Sequence, residues 1–252
     1  NAYDTTLSYE YRRNTLSVIE QPFNPLDVNS KSDIYTYTVR QPVYRTLSSD
    51  FSLELIAERL WLQTTLLGVP FSLEPGAQNG RSVVFALRPA QEFVYRTQHQ
   101  VFAARSRFSF RLDAFGATVN HNGLPDGIFF AWLGQFQWVQ RFSQFSWFQG
   151  LGQYPWAQRL GLLDSYAIFR SSFQYSDAPL LSLEQVSIGG RYSVRGYREN
   201  TMLRDRAALS SIEMRLPVIS NTAWADYLEL APFVDFGQGW DVNLKTPSPK
   251  NI

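Results

Sequence analysis

The sequence predicts an all-β fold, a transmembrane antiparallel β-barrel of which these 252 residues form a part. Apolar and polar residues alternate with a period of two along most of the chain, whereas helical periodicity is weak. Aromatic residues make up 15% of the chain, which suits the outer surface and interfacial girdles of a barrel. No run of about 18 apolar residues occurs, so a membrane protein of this composition has to cross the bilayer with strands.

The clearest alternation lies in "ARSRFSFRLDAFG", residues 104–116, where Phe108 and Phe110 share one face and charged residues occupy the other. A soluble sandwich also alternates, with its polar face in bulk water, and that alternative stays open at this point. In a barrel such charges would face the lumen and solvate a mixed-charge channel. The predicted pore-lining residues are Arg105, Arg107, Arg111, Asp113, Glu213 and Arg215.

The most aromatic stretch is "GIFFAWLGQFQWVQR", residues 127–141. One face of this stretch carries no charge and suits contact with lipid, and it consists of Ile128, Phe130, Trp132, Phe136 and Trp138. The other face becomes polar toward its end, as a lumen-facing wall should.

Further alternating runs bring the predicted total to about 10–12 strands, many close to the 9–11 residues that span a bilayer. An opening hairpin is predicted over residues 5–20. The other runs are 33–45, 51–64, 82–88, 93–105, 144–154, 165–175, 207–217 and 227–236.

Several classes of function are disfavoured by composition. The net charge is +1, so we expect no nucleic-acid partner. Cysteine is absent, and the two histidines, His99 and His121, lie in no metal-binding or nucleophile motif. We therefore expect no enzyme activity, no metal, no cofactor and no small-molecule substrate.

A loop rich in glycine and arginine interrupts the strand pattern at residues 189–200, "GGRYSVRGYREN". It contains Val194, Arg195, Gly196 and Tyr197. The later stretch "PFVDFGQGW", residues 232–240, contains an F-x-D-x-G pattern formed by Phe233, Asp235 and Gly237. Alternation from residue 227 onward places Asp235 opposite an apolar face fit for lipid, and so on the lumen side.

Taken together, these motifs resemble those of the TpsB transporters, the outer-membrane partners in two-partner secretion, which belong to a superfamily of POTRA-plus-barrel proteins. "QEFVYRTQHQVFAARSRFSF" and "PLLSLEQVSIGG" are similar to further stretches of that family, so the resemblance runs from about residue 33 to about residue 240. The family has about sixteen barrel strands preceded by a plug helix and a pair of POTRA domains. No pattern for either is found here, so we expect residues 1–252 to form only part of the barrel domain.

The resemblance implies a role for the two motifs. Arg195 of the loop folds into the lumen and pairs with Asp235 on the wall, Gly196 permits the turn, and Tyr197 packs beneath the pair. A bidentate pair between a guanidinium and a carboxylate fixes orientation as well as position.

The implied function is secretion of a large exoprotein client through the bacterial outer membrane, with membrane lipid and lipopolysaccharide as surroundings. Two alternatives remain, an insertase of the same superfamily that assembles other barrels and a passive porin-like channel.

Overall fold

The computed structural model describes residues 4–17, 24–72, 77–119, 129–155, 157, 162–220, 227–242 and 250–251. The strands are β1 (Thr6–Ser17), β2 (Asn29–Arg45), β3 (Ser49–Leu66), β4 (Val69–Pro70), β5 (Arg81–Arg96), β6 (Gln100–Arg111), β7 (Phe130–Arg141), β8 (Tyr166–Ser176), β9 (Val186–Ile188), β10 (Met202–Arg204), β11 (Arg206–Ser220), β12 (Tyr227–Leu230), β13 (Phe233–Trp240) and β14 (Lys250–Asn251).

Helical structure is short and lies between strands. The α-helix α1 covers Ser146–Gln149, and 3-10 turns cover Asn24–Leu26, Phe142–Gln144, Gly150–Gln153, Leu162–Asp164 and Ser182–Glu184. Within the ranges given above, no helix has both the length and the apolar character needed to cross a membrane.

One antiparallel sheet contains the long strands in the order β1-β2-β3-β5-β6-β7-β8-β11-β13-β14, with β4 and β12 pairing β3 and β11. The strands β9 and β10 form a separate two-stranded ribbon. Strand β11 is long enough to pair β13 with its first half and β12 with its second, so β12 and β13 act as one interrupted strand. The predicted all-β antiparallel architecture, covering part of a barrel, is confirmed.

The register defines two faces of this sheet. Asp235 opposes Ser211, which opposes Arg170, which opposes Gln137, so these four side chains share one face. We call this the inner face, because it carries the charged rows. The other face carries exposed apolar residues such as Val234, 73% exposed, as lipid contact requires.

The strands β2, β3 and β5 contain 17, 18 and 16 residues. A tilted strand needs only about 9–11 residues to cross the hydrocarbon core, so all three extend beyond it. Because these strands are hydrogen-bonded to their neighbours over most of their length, the ends that extend beyond the bilayer can carry polar side chains without exposing unpaired backbone to lipid.

Three strand predictions are wrong. Residues 5–20 do not form a hairpin, because Thr6–Ser17 is one strand paired with β2. Residues 93–105 contain a turn between β5 and β6, where the Thr97 hydroxyl accepts hydrogen bonds from the backbone N–H groups of His99 and Gln100. Residues 144–154 form no strand, because they consist mainly of the helix α1 and the 3-10 turn Gly150–Gln153 that follows it.

Candidate functional site

The long segment between β8 and β11, residues 177–205, folds back onto the inner face; we call it the lumen loop. It consists of an arm (177–185), the ribbon of β9 and β10, and a tip (189–201). Each buried apolar cluster of the described residues contains loop residues: Leu181 packs on β3 and β5, Leu180 on β7, and Ile188 with Val194 on β11. Apolar burial therefore holds the loop against the wall along its length.

The tip places Arg195 on Asp235 of β13. The Arg195 Nε donates to Asp235 Oδ2 at 2.8 Å and Nη2 donates to Oδ1 at 2.7 Å, which is a bidentate arrangement. The backbone N–H of Arg195 also donates to Asp235 Oδ2 at 2.9 Å. Three bonds to one carboxylate fix both the side chain and the backbone of the tip, and the bond to Asp235 raises the pKa of Arg195.

The same guanidinium bonds to two residues of β11. Arg195 Nη2 donates to the Ser211 hydroxyl at 3.0 Å, and Nη1 donates to the Glu213 carboxylate. Glu213 also accepts from Arg215 Nε at 2.5 Å, and Arg215 Nη1 in turn donates to Glu229 at 2.6 Å. Sequence reasoning treated Glu213 and Arg215 as wall solvation, whereas the structure places them in one ionic network with Arg195.

An aromatic ring lies against the guanidinium of Arg195. The Arg195 Cζ lies 3.5 Å from the centroid of the Phe233 ring, a cation–π contact that is favourable where water is partly excluded. The sequence expectation placed Tyr197 beneath the pair, whereas the ring that stacks on the guanidinium is that of Phe233; the two aromatic residues are equally exposed, at 47%. Phe233 takes the place because it is two residues from Asp235 on the same face of β13.

Two further motif residues shape the tip. Val194 is buried, with 2% exposure, and packs with Ile188, Met202 and Ala207. Gly196 has φ +91°, a backbone conformation that L side chains rarely adopt, so the turn after Arg195 favours glycine.

Gly237 has a steric role on the wall. A Cβ at this position would lie 2.6 Å from Val194 Cγ2 and 2.9 Å from Ile188 Cγ2. Real carbon atoms do not approach so closely, so any larger residue would push the tip away from β13. The three motif residues of β13 therefore supply a stacking ring, a carboxylate and space.

The two ends of the loop are joined by Asp205, which sequence analysis missed. Asp205 is 2% exposed, and its Oδ1 accepts from the Leu180 N–H and from Gln185 Nε2, both at 2.9 Å. Its Oδ2 accepts from the Val242 N–H at 2.9 Å. One carboxylate thus connects the arm, the end of the loop and the segment after β13.

The predicted pore row on β6 is present in part. Arg105 pairs with Glu54 at 2.6 Å, and Arg107 lies on the same inner face. Arg111 is 3% exposed, with its Cζ 4.7 Å from the Phe129 ring, so it is a buried residue rather than a channel-lining one. Asp113 is not on the wall: β6 ends at Arg111, and Asp113 lies in an exposed bend.

A cavity of about 720 Å³ lies between the tip and the inner face. Its lining is mixed: apolar residues such as Phe136 and Leu209 lie among the polar residues Arg105, Gln135, Gln137, Arg170, Arg191 and Glu213. Within the described part of the chain, no group of three or more His, Cys, Asp or Glu residues could hold a metal ion. His99 is exposed in the turn after β5, and His121 and Ile128 lie outside the described residues.

Solved structures show the same fold. The chain superposes on CdiB from Escherichia coli with a TM-score of 0.66 at 15% sequence identity, covering 96% of this chain and 41% of that one. For CdiB from Acinetobacter baumannii the TM-score is 0.64 at 14% identity, covering 97% of this chain and 38% of that one. The chain thus spans about two fifths of these structures. No curated protein sequence matches it significantly.

The sequence itself matches one family over nearly its whole length. The model of the family described as "Haemolysin secretion/activation protein ShlB/FhaC/HecB" matches residues 3–247. The matched region contains both the Arg195 tip and the Asp235 strand. The chain therefore belongs to the ShlB/FhaC/HecB family, whose members are β-barrel transporters of the outer membrane.

Proposed function

We propose that the protein forms part of the barrel of an outer-membrane transporter that secretes a large exoprotein, and that all of residues 1–252 belong to this barrel domain. The observation that carries this proposal is the lumen loop itself, which Arg195 attaches to Asp235 in a chain of a secretion family. The exoprotein would cross in extended form and fold outside, without a nucleotide.

The chemistry of the inner face supports passage of an extended polypeptide. Such a chain carries free backbone N–H and C=O groups, which are costly to leave without partners. The cavity wall offers Gln135 and Gln137, which both donate and accept, beside the guanidinium of Arg170. Polar side chains of this kind let a client exchange hydrogen-bond partners along its path instead of binding at one place.

The role we assign to the motif residues is positional. Arg195 and Asp235 hold the tip in the lumen, Glu213 and Phe233 support the guanidinium, and Gly237 leaves the required space. The proposed transport requires no catalytic group, no cofactor and no small-molecule substrate. Lipid and lipopolysaccharide would contact the outer face, and nucleic acid has no part in the process.

Arg195→Ala tests the proposal in cells that carry the full-length protein. Breaking a buried ion pair costs about 3–5 kcal/mol, so we expect the amount of exoprotein in the medium to fall at least about tenfold. Arg198→Ala is the matched control, because it removes the same charge from an exposed position of the same tip. Unchanged secretion in Arg195→Ala, at equal barrel insertion, would refute the positional role.

Comparing proteins in the medium and in the outer membrane, with and without the transporter, separates the three functions. Loss of one large secreted protein supports secretion. Loss of many outer-membrane proteins would instead identify an insertase. Ion conductance without any dependent protein would identify a porin-like channel.

A further inference from the structure

A second ionic contact attaches the lumen loop to the sheet, far from Arg195. Glu184, in the 3-10 turn of the arm, accepts two hydrogen bonds from Arg88 of β5, at 3.1 Å from Nη1 and 2.6 Å from Nη2. The arrangement is bidentate, like that of Arg195 and Asp235. Arg88 lies outside all the quoted stretches that resemble the family, and Glu184 lies in "PLLSLEQVSIGG" but in neither of the two motifs that contain Arg195 and Asp235.

The wall around Arg88 is built to hold this contact. Arg88 Nη2 also donates to Glu58 of β3 at 2.8 Å, and Nη1 donates to the Ser109 hydroxyl of β6 at 2.8 Å. Three neighbouring strands therefore fix the guanidinium before the arm contributes its carboxylate. The Arg88 side chain is 4% exposed and that of Glu184 is 10% exposed.

Loss of either charge would leave its partner buried. Burial alone would raise the pKa of Glu184, but the attraction of Arg88 and its hydrogen bonds outweigh burial and lower the pKa. Beside this pair, Leu181 is completely buried against Leu60, Val84 and Ala86. The arm is thus held by charge and by apolar packing at the same place.

The contact to β13 is more open at its arginine, although its carboxylate is buried, with the Asp235 side chain 3% exposed. The Arg195 side chain is 22% exposed, and Tyr192 and Tyr197 of the same tip are 92% and 47% exposed. Gly189, where the tip begins, has φ +106°. A Cβ at this junction would lie 2.4 Å from the Arg198 carbonyl oxygen, so glycine permits the close approach at which the tip closes on itself.

We propose that Glu184 and Arg88 form a second anchor, which keeps the arm fixed to the β5 wall while movement of the loop is confined to its tip. Both are positioning residues, because they act through the placement of the arm. The part of the proposal about movement rests on the proposed secretion function, whereas the anchor itself does not.

The anchor is tested first without a client, in the full-length protein in its outer membrane. The chain has no cysteine, so Leu181→Cys provides a single buried thiol that reports release of the arm by its rate of maleimide labelling. We expect Glu184→Gln to raise this rate at least about tenfold. Glu199→Gln is the matched control, since it removes a carboxylate from the exposed tip, and it should leave the rate unchanged.

A double-mutant comparison distinguishes loss of the anchor from a general loss of stability of the protein. If Arg88 and Glu184 act as a unit, adding Arg88→Gln to Glu184→Gln should change the rate by less than the two single effects multiplied. Should Glu184→Gln fail to insert, Arg88→Lys replaces it, because lysine keeps the charge but loses the bidentate fork. Equal labelling rates in the variants and the parent would overturn the second anchor.

Movement is tested by labelling with both anchors intact. Val194→Cys reports the tip and Leu181→Cys the arm, with and without expression of the exoprotein. We expect faster labelling only at the tip. Equal acceleration at both positions, or none at the tip, would overturn confinement of movement to the tip. Absence of any secreted protein would refute the proposed function while the client-free test still decides the anchor.

Discussion

Asp235→Asn is the sharpest perturbation of the lumen loop, because it removes one charge with almost no change of shape. The carboxylate accepts three hydrogen bonds from Arg195, two at Oδ2 and one at Oδ1. The amide oxygen can keep two of these bonds, but its nitrogen is a donor and would face the Arg195 Nη2 donor. The variant therefore loses one bond and weakens the others.

The cost follows from these contacts. A hydrogen bond to a charged group contributes about 1.5–3 kcal/mol, and the two retained bonds weaken as they lose charge assistance. Arg195 is 22% exposed and keeps Glu213, which reduces the loss. We therefore take about 3 kcal/mol, the lower end for a broken buried pair. At 1.4 kcal/mol per factor of ten, tip release becomes about a hundredfold more frequent.

Thiol labelling measures this release directly. Val194 is 2% exposed, so the Val194→Cys thiol reacts with maleimide only when the tip leaves the wall. When closing is faster than labelling, the rate follows the open population, and we expect about a hundredfold increase in Asp235→Asn. Asp50→Asn, which breaks the distant pair with Arg45, is the control. Equal rates in both variants would show that Asp235 does not hold the tip.

Two further predictions concern space and pH. Gly237→Ala places a Cβ 2.6 Å from Val194 Cγ2, so we expect this variant to secrete less exoprotein. Adding Val194→Ala should restore part of the secretion, because it removes the atom that the new Cβ meets. Normal secretion in Gly237→Ala alone would contradict the steric role. The pKa of Glu184 is lowered in the folded protein. The Glu184 carboxylate therefore stabilises the arm fully above the ordinary glutamate pKa, and this stabilisation is lost only as pH falls through the lower pKa of the folded protein. A spin label at Ser182→Cys should therefore stay immobile at and above about pH 4.3 and become mobile only as pH falls further, through the lowered pKa of Glu184 in the folded protein. Glu184→Gln should abolish this transition.

The pairing of Arg195 with Asp235 could be predicted from the sequence, because each residue lies in a recognisable motif and alternation indicates the face of the strand on which Asp235 lies. Phe233 and Glu213 show where that reasoning ends. They oppose each other across β13 and β11, and only the strand register brings both to the guanidinium. A period of two gives the face of a residue but not its neighbour on the next strand.

Two other features of the structure could not be predicted from the sequence pattern. Arg88 and Glu184 are 96 residues apart. Glu184 lies in the quoted stretch "PLLSLEQVSIGG", but no pattern in the sequence indicates which arginine it contacts. The alternating pattern of segment 144–154 predicts a strand, whereas its residues follow β7 in short helical turns. Short apolar runs fit either structure, and tertiary contacts decide between them.

The positions of the two anchors in the sheet connect the loop to the shape of the barrel. Arg88 lies on β5 and Asp235 on β13, and the strands β6, β7, β8 and β11 separate them. Because the loop joins two distant strands across the inner face, a change in sheet curvature has to strain one of its contacts. The contact of Arg195 should yield first, since the Arg195 side chain is 22% exposed and Glu213 keeps Arg215 after release, whereas opening at Arg88 would leave a guanidinium that is only 4% exposed with Glu58 as its remaining carboxylate. A client that widens the lumen would thereby release the tip while the arm keeps its place.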